Sequence, residues 1–221
     1  MTTSKPLVLA ATPLEATLMG SSAADLVITG IGAVNAAHAL TQYLATQPRP
    51  SVVIQTGIAG AYVPAGIAVG SVVLADTEIY GDLGVLTPEG WQPMEAIGIP
   101  LVAATDEQPA RFNYFPLDPQ LVARAQAIGG SLIARTGKFL TLSIVTGVQI
   151  LGDELHERFD AICESMEGAA AAQVCAIHGV PFLEVRGISN LVEDRDREKW
   201  RIKEAADAAQ AVALRLVEQL A

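Results

Sequence analysis

Short apolar runs recur along the chain, and most are continuous rather than alternating. PLVLA (6–10), DLVITG (25–30), SVVIQTG (51–57), GSVVLAD (70–76), LSIVTG (142–147), ICESME (162–167) and PFLEVRG (181–187) each read as a strand. A run that is apolar at nearly every position fits a strand covered on both faces. Between these runs lie Ala-rich helical segments at 35–47, 118–129, 167–179 and 197–221. Asp118 is placed to cap the second, with Pro119 in its first turn, and Gly179 to end the third before Pro181. This alternation predicts a single α/β domain over 1–221 with a mostly parallel central sheet. Residues 86–120, rich in proline and aromatic rings, predict a long ordered excursion from that sheet.

Composition supports a large core: of 221 residues, 51% are apolar and only 17% charged. The net charge is −10, and no cluster of Lys and Arg could form the basic face that a nucleic-acid partner needs. The apolar region 52–75 is broken by Gln55, Pro64 and glycines, so it predicts two strands and a Gly-rich loop rather than a membrane span. The apolar run at 6–10 is too short for a signal peptide. Cys163 and Cys175 form no CxxC and no zinc spacing, which predicts free buried thiols, a cytoplasmic setting and no metal site.

Four features carry candidate chemistry. TGIGAVN (29–35) is a partial dinucleotide fingerprint that fails at its third glycine and follows the second strand, so a tight turn capped by Asn35 is the plainer reading. QTGIAGA (55–61) would let backbone amides approach a ligand, but it lacks the Arg or Lys of a phosphate cradle; Thr56 alone keeps that question open. SMEGAAAAQVC (165–175) sets Glu167 at the start of a helix of small residues, where it either complements the helix dipole or holds a ligand hydroxyl. Arg186, in an apolar strand, needs a carboxylate partner or a ligand, with Glu15 and Glu167 as candidates. His38, His156 and His178 share no spacing and read as structural, and DRDRE (194–198) as a solvated loop before the last helix.

In order, AATPLEA, GIGAVNAA, TGIAGA, SMEGAAAAQVC and VPFLEVRGISN resemble the nucleoside phosphorylase and nucleosidase superfamily, with the methylthioadenosine/S-adenosylhomocysteine nucleosidases as general relatives. The resemblance implies a three-layer α/β/α sandwich around a mixed, partly barrel-like sheet. It also implies a homodimer or higher homo-oligomer in which a neighbouring subunit helps close the site. No metal or organic cofactor is implied. Glu15 matches the acid that activates the attacking water, and Glu167 the acid on the ribose hydroxyls with Met166 under the sugar. Arg186 matches the arginine that pairs with these acids. Thr56 and Gly57 fall in the glycine turn beside the ligand, Ser189 and the residue after it face the purine, and Ile150 and Leu151 match the base pocket more loosely.

The departure is at residue 190. Adenine-releasing members resemble one another in carrying Asp there; this chain carries Asn190. An amide can donate to a 6-oxo group and accept from a protonated N7, whereas a 6-aminopurine meets it donor against donor. Such a mismatch costs roughly 1–3 kcal/mol, enough to shift preference tenfold. GISN together with TEIYGDLGV (77–85) is similar to the futalosine hydrolases, which release hypoxanthine from a nucleoside bearing a carboxyphenyl-ketone arm. RFNYFP (111–116) would then offer that ring flat walls, and Arg111 would meet its carboxylate. The implied activity is N-glycosidic hydrolysis. Other purine nucleosidases, a purine nucleoside phosphorylase, a non-catalytic nucleoside-binding protein and a Rossmann oxidoreductase are the competing readings.

Overall fold

In the computed structural model, which describes residues 4–106 and 108–220, the chain runs β1 (Leu7–Ala10), β2 (Asp25–Ile28), α1 (Ala33–Thr46), β3 (Val53–Tyr62) and β4 (Val72–Tyr80). Then follow β5 (Gly84–Thr87), β6 (Gly90–Pro93), the one-turn α2 (Met94–Ile97) and β7 (Tyr114–Pro116). The remainder is α3 (Pro119–Gly129), β8 (Ile133–Thr141), α4 (Gln149–Phe159), β9 (Ala161–Ser165), α5 (Gly168–His178), β10 (Phe182–Val192) and α6 (Ile202–Leu220).

The continuous apolar runs are explained by cover on both faces. In β1, Leu7 and Leu9 pack with Leu40, Ala171 and Val174 on the α1/α5 side, while Val8 and Ala10 pack with Val212 and Leu216 on the α6 side. A third apolar cluster, including Tyr62, Phe139, Phe159 and Ile188, lies against α4. The result is a mixed sheet flanked by helices. It is less parallel than expected, because β9 runs antiparallel to β3, and β10 antiparallel to β4.

The strand order β10-β4-β8-β9-β3-β1-β2 closes on itself where β10 also pairs with β3, leaving β1 and β2 as a flat extension. β3 is the shared member. One edge pairs with β10 from Val53 to Tyr62. The other pairs with β1 over Val53–Thr56 and with β9 only at Gly60 and Ala61. Between Gly57 and Ala59 that edge is free of strand partners, a topological switch where α/β sheets open clefts.

Several local expectations are corrected. Residues 142–147 are irregular rather than a strand; Ile144 is 82% exposed, and the strand lies upstream as β8. Polar Arg135, Thr136 and Lys138 hid β8 from a reading based on apolar runs. β10 extends to Val192, with a register shift between Ile188 and Asn190, so Asn190 sits within the strand and not beyond its end. Asn35 does not cap α1: Gly32 holds that position with φ 96°, and Asn35 donates to Ile31 O at 2.7 Å. The last helix starts at Ile202, after one 3-10 turn at Arg197–Lys199. The excursion is partly regular, forming the β5–β6 hairpin and returning through β7 onto β4. Asp118 caps α3 through Gln120 N and Leu121 N, and Gly179 ends α5 in the left-handed region, both as expected.

Candidate active site

A cavity of about 590 Å³ opens where β3 changes partners. Glu15 enters it from a 3-10 turn, Pro13–Ala16, that follows β1. The turn is a capping box: Glu15 Oε2 accepts from Thr12 N at 2.9 Å and Thr12 Oγ1 at 2.7 Å. Glu15 Oε1 accepts from Ile58 N at 2.9 Å, the amide left free by the fork in β3. Gly57 makes the approach possible, since a Cβ there would stand 2.5 Å from Glu15 Oε1 and 2.6 Å from Arg186 Nη1.

Glu167 occupies the N-cap position of α5, but its side chain does not cap the helix. It turns into the cavity, where Oε1 accepts from Gly32 N at 2.9 Å and Oε2 from Arg186 Nη2 at 3.0 Å. The GIGAVN turn thus serves a carboxylate of this chain instead of a dinucleotide phosphate. The small residues after Glu167 let α5 sit deep, with Ala169, Ala170, Ala171 and Ala172 all buried.

Arg186 is 1% exposed. Its Nε donates to Glu184 Oε1 at 2.6 Å and its Nη1 to Ile58 O at 3.1 Å. Burial opposes its charge, but Glu184, then Glu167 and Glu15, outweigh that and raise its pKa. Glu184 is the partner the sequence reading missed. The signal was present: Glu184 and Arg186 are two apart on a strand and so share a face. Behind Glu184 lies Glu78, fully buried, its carboxyl close enough to that of Glu184 to raise its pKa. Burial, then the charge of Glu184, hold the Glu78 carboxyl well above the usual range; burial raises Glu184 as well, but Arg186 opposes it there directly, so the pair's proton is drawn toward Glu78.

Asn190 and Ser189 line the cavity from β10, which pairs with β3 alongside the fork. Ser189 Oγ donates to Asn190 Oδ1 at 2.8 Å, and Asn190 Nδ2 donates to Leu191 O at 2.9 Å. These bonds fix the amide and leave one lone pair on Oδ1 and one hydrogen on Nδ2 for a ligand. Met166 also lines the cavity.

The structure therefore brings Glu15, Met166, Glu167, Arg186, Ser189 and Asn190 to one cavity. It does not bring the others there. Thr56 is buried and does not line the cavity, while Gly57 acts through the space it leaves. Ile150 and Leu151 are 66% and 50% exposed on α4, outside the wall. Arg111 stacks 6.0 Å over buried Phe115 and does not reach the cavity. DRDRE is not merely a solvated loop: Arg195 lines the cavity beside Trp200, its guanidinium 4.8 Å from the ring centroid. Glu164 also lines the wall and was missed. Among the described residues, no cluster of three His, Cys, Asp or Glu could hold a metal ion, and no helix is long and apolar enough to cross a membrane.

The family model described as "Phosphorylase superfamily" matches residues 16–221. The futalosine hydrolase of Thermus thermophilus is 41% identical over 192 residues, covering 86% of this chain and 80% of that protein. That of Streptomyces coelicolor is 39% identical, covering 83% of this chain and 74% of that one. The 5′-methylthioadenosine/S-adenosylhomocysteine nucleosidase of S. pneumoniae, solved with a transition-state inhibitor, superposes with a TM-score of 0.79 at 27% identity over 98% of this chain and 100% of the other. By sequence and fold alike, the chain belongs to the phosphorylase superfamily.

Proposed function

We propose that this chain hydrolyses the N-glycosidic bond of futalosine, releasing hypoxanthine and dehypoxanthine futalosine, a step of menaquinone biosynthesis. The observation that carries the reading is the meeting of Glu15, Glu167 and the Asn190 amide in one cavity. Futalosine hydrolases at 41% and 39% identity support the substrate.

Glu15 takes a proton from the attacking water, a role worth about 10²–10⁴-fold. Thr12 and Ile58 N hold it in place without themselves ionising. Glu167 accepts from the ribose hydroxyls, an interaction that strengthens as the sugar becomes cationic. Arg186 keeps that carboxylate aimed. Asn190 donates Nδ2–H to the 6-oxo group and offers Oδ1 to N7–H as the base departs. Arg195 and Trp200 give the wall a cation and a flat face suited to the carboxyphenyl arm, the pair first sought in Arg111 and RFNYFP.

Hydrolysis is favoured over phosphorolysis on local grounds. The amides of Thr12 and Ile58, which could cradle an anion, are taken by Glu15. Arg186 is committed to Glu184 and Glu167. Asn190 favours a 6-oxopurine over the adenine of methylthioadenosine. A homo-oligomer and a cytoplasmic setting complete the proposal; the two buried free thiols suit the latter.

The test is base release from futalosine, inosine and methylthioadenosine, each with and without phosphate. Hypoxanthine from futalosine in phosphate-free buffer is expected, with kcat down about 10²-fold or more in Glu15→Gln. Strict dependence on phosphate, or release of adenine alone, refutes the reading.

A further inference from the structure

Glu164 has no part in the chemistry described above, yet it lines the same cavity while being 5% exposed. Its place follows from strand register. β9 meets β3 at Glu164 and Gly60, and β10 meets β3 at Asn190 and the same Gly60. Glu164, Gly60 and Asn190 therefore form one row across three neighbouring strands, and residues in register present their side chains to one face. At a strand spacing of about 4.8 Å, the two ends of the row stand roughly 10 Å apart. The middle of the row is bare backbone: a Cβ at Gly60 would lie 3.1 Å from Asn190 Nδ2 and 3.0 Å from Val192 Cγ2. Gly60 leaves room for Asn190 and Val192 to close in, and Glu164 and Asn190 both line the cavity, so the row presents it a polar group at each end.

Glu164 is built as a fixed acceptor. Oε1 accepts from Thr146 N at 2.7 Å and Oε2 from Tyr62 Oη at 3.0 Å. Each oxygen keeps a further lone pair. A 6-oxopurine carries a hydrogen on N1; a 6-aminopurine carries a lone pair there. A carboxylate facing N1 attracts the first and repels the second. Burial leaves the Glu164 carboxyl raised above its ordinary value, with the bonds from Thr146 and Tyr62 opposing the rise.

We propose that Glu164 accepts the N1–H of a 6-oxopurine and so reads the far edge of the base whose near edge Asn190 reads. This rests on the cavity being a 6-oxopurine nucleosidase site, and it assigns the discrimination to two residues rather than one. Neither would suffice alone: Asn190 senses C6 and N7, and Glu164 senses the hydrogen on N1.

Two ratios test it. The first is kcat/KM for futalosine over its 6-amino counterpart. The second is the inhibition constant of 1-methylhypoxanthine over that of hypoxanthine, which changes N1 and leaves the 6-oxo group alone. In the wild type both ratios should be about tenfold or larger. Glu164→Leu should bring the second ratio to about one and cut the first by about tenfold, with Glu164→Gln between. If Leu unfolds the protein, the Gln variant and the wild-type N1-methyl ratio decide. Unchanged ratios in a folded variant, or a wild-type N1-methyl ratio of one, overturn the assignment and leave Glu164 as a pin for the Thr146 loop. Failure of the parent reading looks different: the wild type itself would release no hypoxanthine from futalosine.

Discussion

Arg186 is approached by Glu184, Glu167 and Glu15, with Glu78 behind them, and all four acids are buried. One guanidinium cannot balance four ionised carboxylates in a low-dielectric interior, so a proton must stay on one of them. Glu78 is that one, because burial and the neighbouring Glu184 act in the same direction, with Arg186 opposing them more weakly. The consequence for stability has a definite sign. Unfolded, Glu78 titrates near about 4.3. Folded, it keeps its proton to higher pH, so the native state binds more protons and stability falls as pH rises from that value toward the raised folded one. Glu78→Gln keeps a neutral donor to Glu184 and removes the titration. The melting temperature of E78Q relative to the wild type should therefore climb between about pH 5 and about pH 8. A flat difference would mean that Glu78 is ionised in the native state. Glu167 and Arg186 were legible in the sequence as charges placed in small-residue or apolar surroundings, whereas Glu15 entered through the family resemblance. Glu78, Glu164 and Glu184 carried the same signal, an acid inside a strand-like run, but only strand pairing reveals which acids share a space.

Among the elements, α5 shows how tightly the site is bound to helix placement. Its first residue, Gly168, lies against both Glu78 Oε2 and Glu184 Oε2, well inside the contact distance of an added methyl. Gly168→Ala would thrust that methyl against two fully buried carboxyls. A loss of about 1–3 kcal/mol is expected, read as a Tm lower by several degrees. An unchanged Tm would show that the helix start can shift freely. Strands whose apolar residues face packed helices were plain in the sequence, β1 and β10 among them. The run at 142–147 misled because Ile144 and Val145 are apolar yet largely exposed, and Val145 borders the cavity rather than a core. β8 was hidden by the opposite circumstance, since its middle residues are only partly buried.

At the scale of the whole molecule, apolar residues left in the open call for a partner. Ile31 and Val145 line the cavity while 57% and 43% exposed, and Val34 and Ile144 are each 82% exposed. Exposed apolar surface beside a binding cavity marks an association surface. Light scattering should find at least a dimer, and Val34→Glu with Ile144→Asp should shift it toward monomer; a wild-type monomer at assay concentration would contradict the proposed oligomer. The sequence alone could not place such a surface, because that requires knowing which apolar residues the fold leaves uncovered. Strand β10 carries a different consequence. It bears Glu184, Arg186, Ser189 and Asn190, and it is clasped by β3 along its length and by β4 at its centre. Its amides exchange with solvent only when the ring of strands opens as a whole. The groups that grip the sugar and read the base therefore cannot come loose while the scaffold survives, and heat leaves no half-built enzyme between the working protein and the unfolded chain.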